Sequence, residues 1–261
     1  MTTTTITQLD DFKEPLASIS SRTTSTSTLY TLADSTFFNP TRTLAVNSRG
    51  IGAFRLPIPS RETEIAIQNA DGSDAYISTR DKLWSGNCVL SHPKQGNLIR
   101  TDYFFGPNRE PILRLLQTSS ILPDEVKVTG QWTSRTTRFA MPDGQEYEWV
   151  YGKEKTDGRR TNLLILRSVN PNVNVKDKVQ GEGKLKHRQV AQLVRGAETR
   201  TSGTSRCTAG NGGELQMDEG AMEGQLDVAV VVATCLMMLK KEVDRRRLIQ
   251  LCVIGGAGGG S

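Results

Sequence analysis

Val228–Leu239 reads VAVVVATCLMML and lies within a longer run, Gln225–Ile254, that contains neither glycine nor proline. These twelve residues show no polar face at either the strand or the helix period. The β-branched start alone would suit a buried strand. Leu236–Leu239 and Lys240-Lys241-Glu242 are good helix formers, however, and the uninterrupted length favours helix. Glu242 and Arg246, like Lys240 and Asp244, stand four residues apart and would meet on a helical surface. The run therefore predicts a helix over about 226–251. A helix that is apolar all round must be enclosed by protein or by lipid. Twelve helical residues rise only about 18 Å at ~1.5 Å each, against a bilayer core of about 30 Å. Arg245-Arg246-Arg247 would suit the flank of a tail anchor, but the apolar run is too short to span. A core helix sheathed by the preceding chain is the better reading.

That preceding chain is rich in short strands separated by turn residues. Leu29–Leu32, Thr43–Val46, Phe54–Leu56, Thr63–Ile67 and Ala75–Ser78 are the first candidates. Asn97–Phe105, Ile112–Gln117, Gln131–Met141, Glu146–Tyr151, Thr161–Arg167, Gln189–Arg195 and Glu214–Asp218 complete the set. Asp71-Gly72, Gly106-Pro107-Asn108 and Pro142-Asp143-Gly144 are turn chemistry, because proline fixes φ while Gly, Asn and Asp accept turn conformations. Lys153–Arg160 is a polar stretch before the Thr161–Arg167 candidate, and Asn170–Gly183 is polar and predicts a long surface loop. The sum is a mainly β fold, about twelve strands in a sandwich or barrel over roughly 27–254. The first thirty residues hold nine Thr and five Ser, which predicts a disordered tail over 1–26. Gly255–Gly260 predicts a flexible end over 255–261.

Composition narrows the function classes. Hydrophobic residues are 36% of the 261 and charged residues 23%, too apolar for wholesale disorder and too polar for a membrane bundle. Four cysteines, none in a C-x-x-C pair, and two histidines argue against structural zinc. No glycosylation sequon is present and the threonine-rich start lacks an apolar signal core. A protein of the cytoplasm or its membrane periphery, without metal or cofactor, is expected. Gly181-Glu182-Gly183-Lys184 lacks the spacing of a phosphate loop, and Gly203–Cys207 lacks the closing glycine of a nucleophile elbow. His92 and His187 have no partner acid in sequence, so no catalytic residue is expected. Aromatic residues are only 6% and no base-stacking motif occurs, which argues against nucleic acid.

The charge distribution is the best pointer to a partner. Lys153–Arg200 holds twelve Lys/Arg against five Asp/Glu, a local +7, whereas the whole chain is +5. The remainder is therefore −2, and such asymmetry favours an anionic partner. Within that stretch Lys184, Lys186 and Arg188 form the densest basic cluster and are candidate contacts for lipid headgroups. Arg245, Arg246 and Arg247 are the second candidate set. At 100° per residue they fan around the helix, so they mark the place where it leaves the barrel.

A strand-rich domain followed by a hydrophobic helix near the C-terminus resembles the tubby C-terminal-like superfamily. That superfamily includes tubby proteins, phospholipid scramblases and LURP-one-related proteins. The chain is similar in particular to fungal proteins carrying such a domain, through YFFGPNREP at Tyr103–Pro111 and PDGQEYEWVYGK at Pro142–Lys153. GTSRCTAGNGGEL at Gly203–Leu215 and VVVATCLMMLKKEVDRRR at Val230–Arg247 complete the resemblance. It implies a closed barrel of about twelve strands with the helix threaded through its centre, and Trp84, Trp132 and Trp149 as packing residues. It also implies a non-enzymatic domain that binds anionic membrane lipid, such as a phosphoinositide, through basic surface residues. The basic motif of the tubby proteins has no positional match here. The alternative expectation is a protein-interaction module without lipid affinity. A lipid carrier or an enzyme using the interior is disfavoured, because the helix would fill that space.

Overall fold

The computed structural model describes residues 38–53, 62–83, 85–104, 109–116, 124–130, 134–156, 159–169 and 188–257. Several expectations lie outside these residues: the 1–26 tail, strands at Leu29–Leu32 and Phe54–Leu56, and the Gly106 turn. The 170–183 loop, Trp84, Trp132, Lys184 and Lys186 lie outside them too.

The chain forms a closed barrel of twelve antiparallel strands around a C-terminal helix. The strands are β1 Arg42–Val46, β2 Glu64–Gln68, β3 Asp74–Arg80, β4 Cys88–His92, β5 Gly96–Asp102 and β6 Ile112–Leu115. They continue as β7 Glu125–Thr129, β8 Thr137–Ala140, β9 Glu146–Thr156, β10 Arg159–Val169, β11 Arg188–Arg195 and β12 Gly213–Met217. Each strand pairs with its sequence neighbours, and β1 closes the ring against β12, from Arg42 opposite Met217 to Val46 opposite Gly213. An even strand number makes this closure antiparallel and leaves no free edge to template aggregation.

Inward positions follow the period-two pattern. Leu44 and Val46, Ile65 and Ile67, Val126 and Val128, and Tyr147 and Trp149 are buried and face the helix. Outward positions carry cross-strand ion pairs, such as Arg138 and Arg167 flanking Glu148 on β8, β10 and β9. Tight turns use the expected residues: Gly72 and Gly144 adopt φ of 82° and 87°, open to glycine without strain.

After β12, the short helix α1 (Glu219–Met222) is capped by Asp218, whose side chain accepts from the Ala221 N–H. The chain then turns back into α2, Val228–Ala257. Asp227 Oδ1 accepts from the Ala229 N–H at 2.6 Å and serves the first turn of α2. Ala229–Lys240 is buried without interruption inside the barrel. Thr234, the one hydroxyl in the apolar stretch, donates to Val230 O at 2.8 Å and so leaves no dry polar group behind.

Three expectations need correction. The strands expected at Glu146–Tyr151 and Thr161–Arg167 extend into the polar stretch between them: β9 runs to Thr156 and β10 starts at Arg159, opposite Thr156. β9 passes its last pairing with β8 at Trp149, β10 begins before its first pairing with β11 at Asn162, and residues 152–155 and 159–162 are not buried, so the polar composition is compatible with strand. β4 and β7 are strands that the turn-and-pattern reading passes over. The helix also continues beyond Leu251 through Gly255 and Gly256 to Ala257. Among the described residues, no helix is long and apolar enough to cross a membrane.

Candidate basic cleft at the helix exit

In an up-and-down barrel all odd-to-even connections gather at one end. Here that end is also where α2 emerges, as contacts from Arg245 to Ser134 and from Arg246 to Cys207 show. The β7–β8 and β11–β12 loops therefore form its rim. The opposite end holds the tight turns after β2, β4 and β8.

Gly210 explains how the β11–β12 loop reaches the helix. Its φ is +72°, and a Cβ there would lie 2.4 Å from Val243 Cγ2 and 2.7 Å from Leu239 O. Only glycine permits this approach. The Gly210 N–H then donates to Glu242 Oε2 at 2.9 Å, and Arg195 Nη1 donates to the same oxygen at 2.8 Å. Ile51, Ala209 and Val243 make a small apolar cluster beside it. Burial works against the charge of Arg195, but Glu242 more than offsets this and holds its pKa up.

Above this ion pair opens a cleft of about 240 Å³. Arg135, Lys153, Arg195, Arg206, Arg245 and Arg246 line it, with Glu242 as the one carboxylate among the described residues. Glu242 is taken up by Arg195. The other five cations have no carboxylate partner among the described residues. Arg245 Nη2 donates to Ser134 O at 3.2 Å and Arg246 Nη2 to Cys207 O at 3.1 Å, which aims both heads at the rim. Arg135 stands 5.8 Å over the Tyr151 ring. The Tyr151 hydroxyl is buried at the cleft wall near Glu242. Burial first, then the nearby Glu242 carboxylate, raises its pKa well above that of an ordinary phenol. Lys241, one residue before Glu242, is pushed down to about 8, first by burial and then by the Arg245 charge. The excess of positive charge at the helix exit is carried by the five cations of the cleft that lack a carboxylate partner among the described residues. Such a site lowers its energy by taking up an anion, and the Arg forks match phosphate oxygens in geometry.

The sequence candidates separate. Arg245 and Arg246 enter the cleft. Arg247, on the next step of the fan, turns to Asp244 at 3.8 Å. Asp244 is bound in turn by Lys240, which lies 5.0 Å over the Tyr103 ring. Arg188 opens β11 at the far end from Arg195, about 23 Å along the strand at ~3.3 Å per residue. It does not belong to the cleft. Arg135, Lys153 and Arg206 are cleft residues the sequence candidates omit. Lys153 and Arg195 fall inside the +7 stretch, which was their only signal.

A second cavity of about 540 Å³ lies where α2 enters the barrel. It is lined by Tyr76, Leu98, Leu115, Met141 and Val228, with one cation, Arg42, and one carboxylate, Asp227. Its charges balance, and it lacks the excess that marks the exit. No family model, curated protein or solved structure matches the chain.

Proposed function

We propose that this barrel is a non-enzymatic binding domain that takes an anionic lipid headgroup into the cleft at the helix exit. The observation that carries this is the convergence of Arg135, Lys153, Arg206, Arg245 and Arg246 on one cleft without a neutralising carboxylate among the described residues. Each cation near an anionic surface contributes about 1 kcal/mol, so five on one rim favour a membrane over an isolated ion. The barrel closed around an apolar helix also supports the likeness to the tubby C-terminal-like superfamily, whose tubby-type domains bind phosphoinositide headgroups.

Co-sedimentation with phosphatidylserine- or phosphoinositide-containing vesicles at low and high salt tests the proposal. Binding at low salt that weakens as salt screens the surface charges is the expected result. Arg245→Gln/Arg246→Gln should lose most of it. Absence of binding at low salt would remove the lipid reading and leave a protein-interaction module.

A further inference from the structure

The exit end is unusual in a second, independent respect. The exposed large hydrophobic residues among those described are Leu83, Phe104, Leu116, Ile249, Leu251 and Val253. All except Leu116 lie at the exit end. Leu83 is in the β3–β4 connection, Phe104 in the β5–β6 connection, and the other three on the last turns of α2. Leu251 is 50% and Val253 67% exposed. From Ile249 to Val253 the only polar side chain is Gln250, and it donates back to Gly52 O and Ala53 O on the β1–β2 loop. The emerging helix is thus an uncharged apolar peg. Ile249 itself lines the basic cleft beside Arg245 and Arg246, so peg and cations are one continuous surface.

We propose that this end of the barrel docks on an anionic bilayer, with Leu251, Val253, Leu83 and Phe104 buried in the headgroup region while the cleft holds a lipid phosphate. The inference rests on the headgroup reading and adds the mode of engagement. From Ile249 to Ala257 the helix rises about 13 Å, enough to reach the ~5–10 Å depth of an interfacial element and too short to span. Charge complementarity selects the occupant: an apolar tip collared by unpaired arginines fits a surface that is anionic outside and hydrocarbon beneath.

The test uses the full chain, vesicles of equimolar phosphatidylcholine and phosphatidylserine, and pyrophosphate as a soluble probe of the cleft. Leu251→Asn/Val253→Asn leaves the net charge unchanged, so long-range attraction is preserved. Vesicle affinity should fall at least about tenfold while pyrophosphate affinity is retained, as expected for loss of buried apolar area. Leu116→Asn, the same kind of change at an exposed apolar residue away from the exit, should alter neither. Leu251→Trp keeps an apolar tip; it should bind vesicles more tightly, with a blue-shifted emission on binding.

Unchanged vesicle binding by the double variant, or equal loss in Leu116→Asn, would overturn the docking mode and leave the cleft reading intact. Pyrophosphate binding without any vesicle binding by the native chain would overturn the membrane and leave a soluble anion as ligand. No binding of either probe would end both readings. A native dimer that the double variant converts to monomer would make this face an interface between copies and would equally overturn the proposal.

Discussion

Glu242→Gln offers a test in which stability and binding move in opposite directions. The carboxylate accepts from Arg195 Nη1 at 2.8 Å and from the Gly210 N–H at 2.9 Å. Arg195 is only 6% exposed, so the guanidinium depends on this partner. Breaking a buried pair costs about 3–5 kcal/mol when one charge is left behind. Glutamine retains an oxygen acceptor, which reduces the loss to about 2–3 kcal/mol. In a chain of this size the melting temperature should fall by roughly 5–10 °C. The same change removes the one carboxylate that lines the cleft among the described residues. At about 6 Å from a bound anion and an effective dielectric of ~20, the repulsion removed is about 3 kcal/mol before salt. Screening leaves about 1.4 kcal/mol, or roughly tenfold tighter binding. Thermal unfolding with and without pyrophosphate, together with titration calorimetry, reads both effects. At a hundredfold excess over Kd the ligand restores about 2.7 kcal/mol, so the variant's deficit should nearly close. If Glu242→Gln melts with the native protein, the ion pair does not support the cleft. If it binds pyrophosphate no more tightly, the cleft's electrostatics are misassigned.

Two further outcomes follow from α2. Leu236 is 7% exposed within the barrel, and Leu236→Ala should lose about 2–5 kcal/mol in denaturant unfolding; a loss of a few tenths would place the side chain in water. Lys241 titrates near 8 in the fold against 10.5 for a free lysine, first because it is buried and next because Arg245 is beside it. The unfolded chain therefore binds more protons between these values, and stability should rise as pH climbs from about 8 to 10.5, by at most about 3 kcal/mol. Denaturation midpoints across that window should show the rise in the native protein and lose it in Lys241→Met; an unchanged slope in the variant would refute it.

How much of this is legible in the sequence depends on where each residue's constraint originates. The core helix is legible because Val228–Leu239 has no polar face and so has to be enclosed whatever surrounds it. β2 is legible because Ile65 and Ile67 alternate with Glu64, Ala66 and Gln68, while β4 is not: only Leu90 is fully buried, and Cys88-Val89 shows no alternation. β7 does alternate, with Val126 and Val128 inward, but two apolar residues are too short a signal to distinguish strand from loop. The cleft is barely legible. Arg135 and Arg206 come from loops seventy-one residues apart in the chain, and only the strand order makes them neighbours of Arg245. A charge count finds the basic region but not its geometry. It weights Arg188 equally with Arg195, although β11 holds them at opposite ends of the barrel.

The placement of the cleft is tied to a problem that an all-round apolar helix creates for itself. Val228–Leu239 packs against strand residues on every side, so hydrophobic burial alone hardly distinguishes one rotation of the rod from another. Direction is supplied where the composition changes. Lys240 binds Asp244 within the helix and faces Tyr103 on one side. Glu242 meets Arg195 and Gly210 on another, and Lys241 donates to Thr137 Oγ1 at 3.3 Å on a third. These polar contacts fall within five consecutive residues at the exit, which is where the helix can be held in one azimuth at least cost to the dry core. Buried ionic groups are poor sources of net stability but good sources of register. Once the azimuth is fixed, the fan of 100° per residue sends Arg245 to the β7–β8 loop, Arg246 to the β11–β12 loop and Arg247 back toward Asp244. The two arginines of the cleft are thus positioned by the same collar that seats the helix, and the basic cleft arises at the end of the barrel where the core has to become polar.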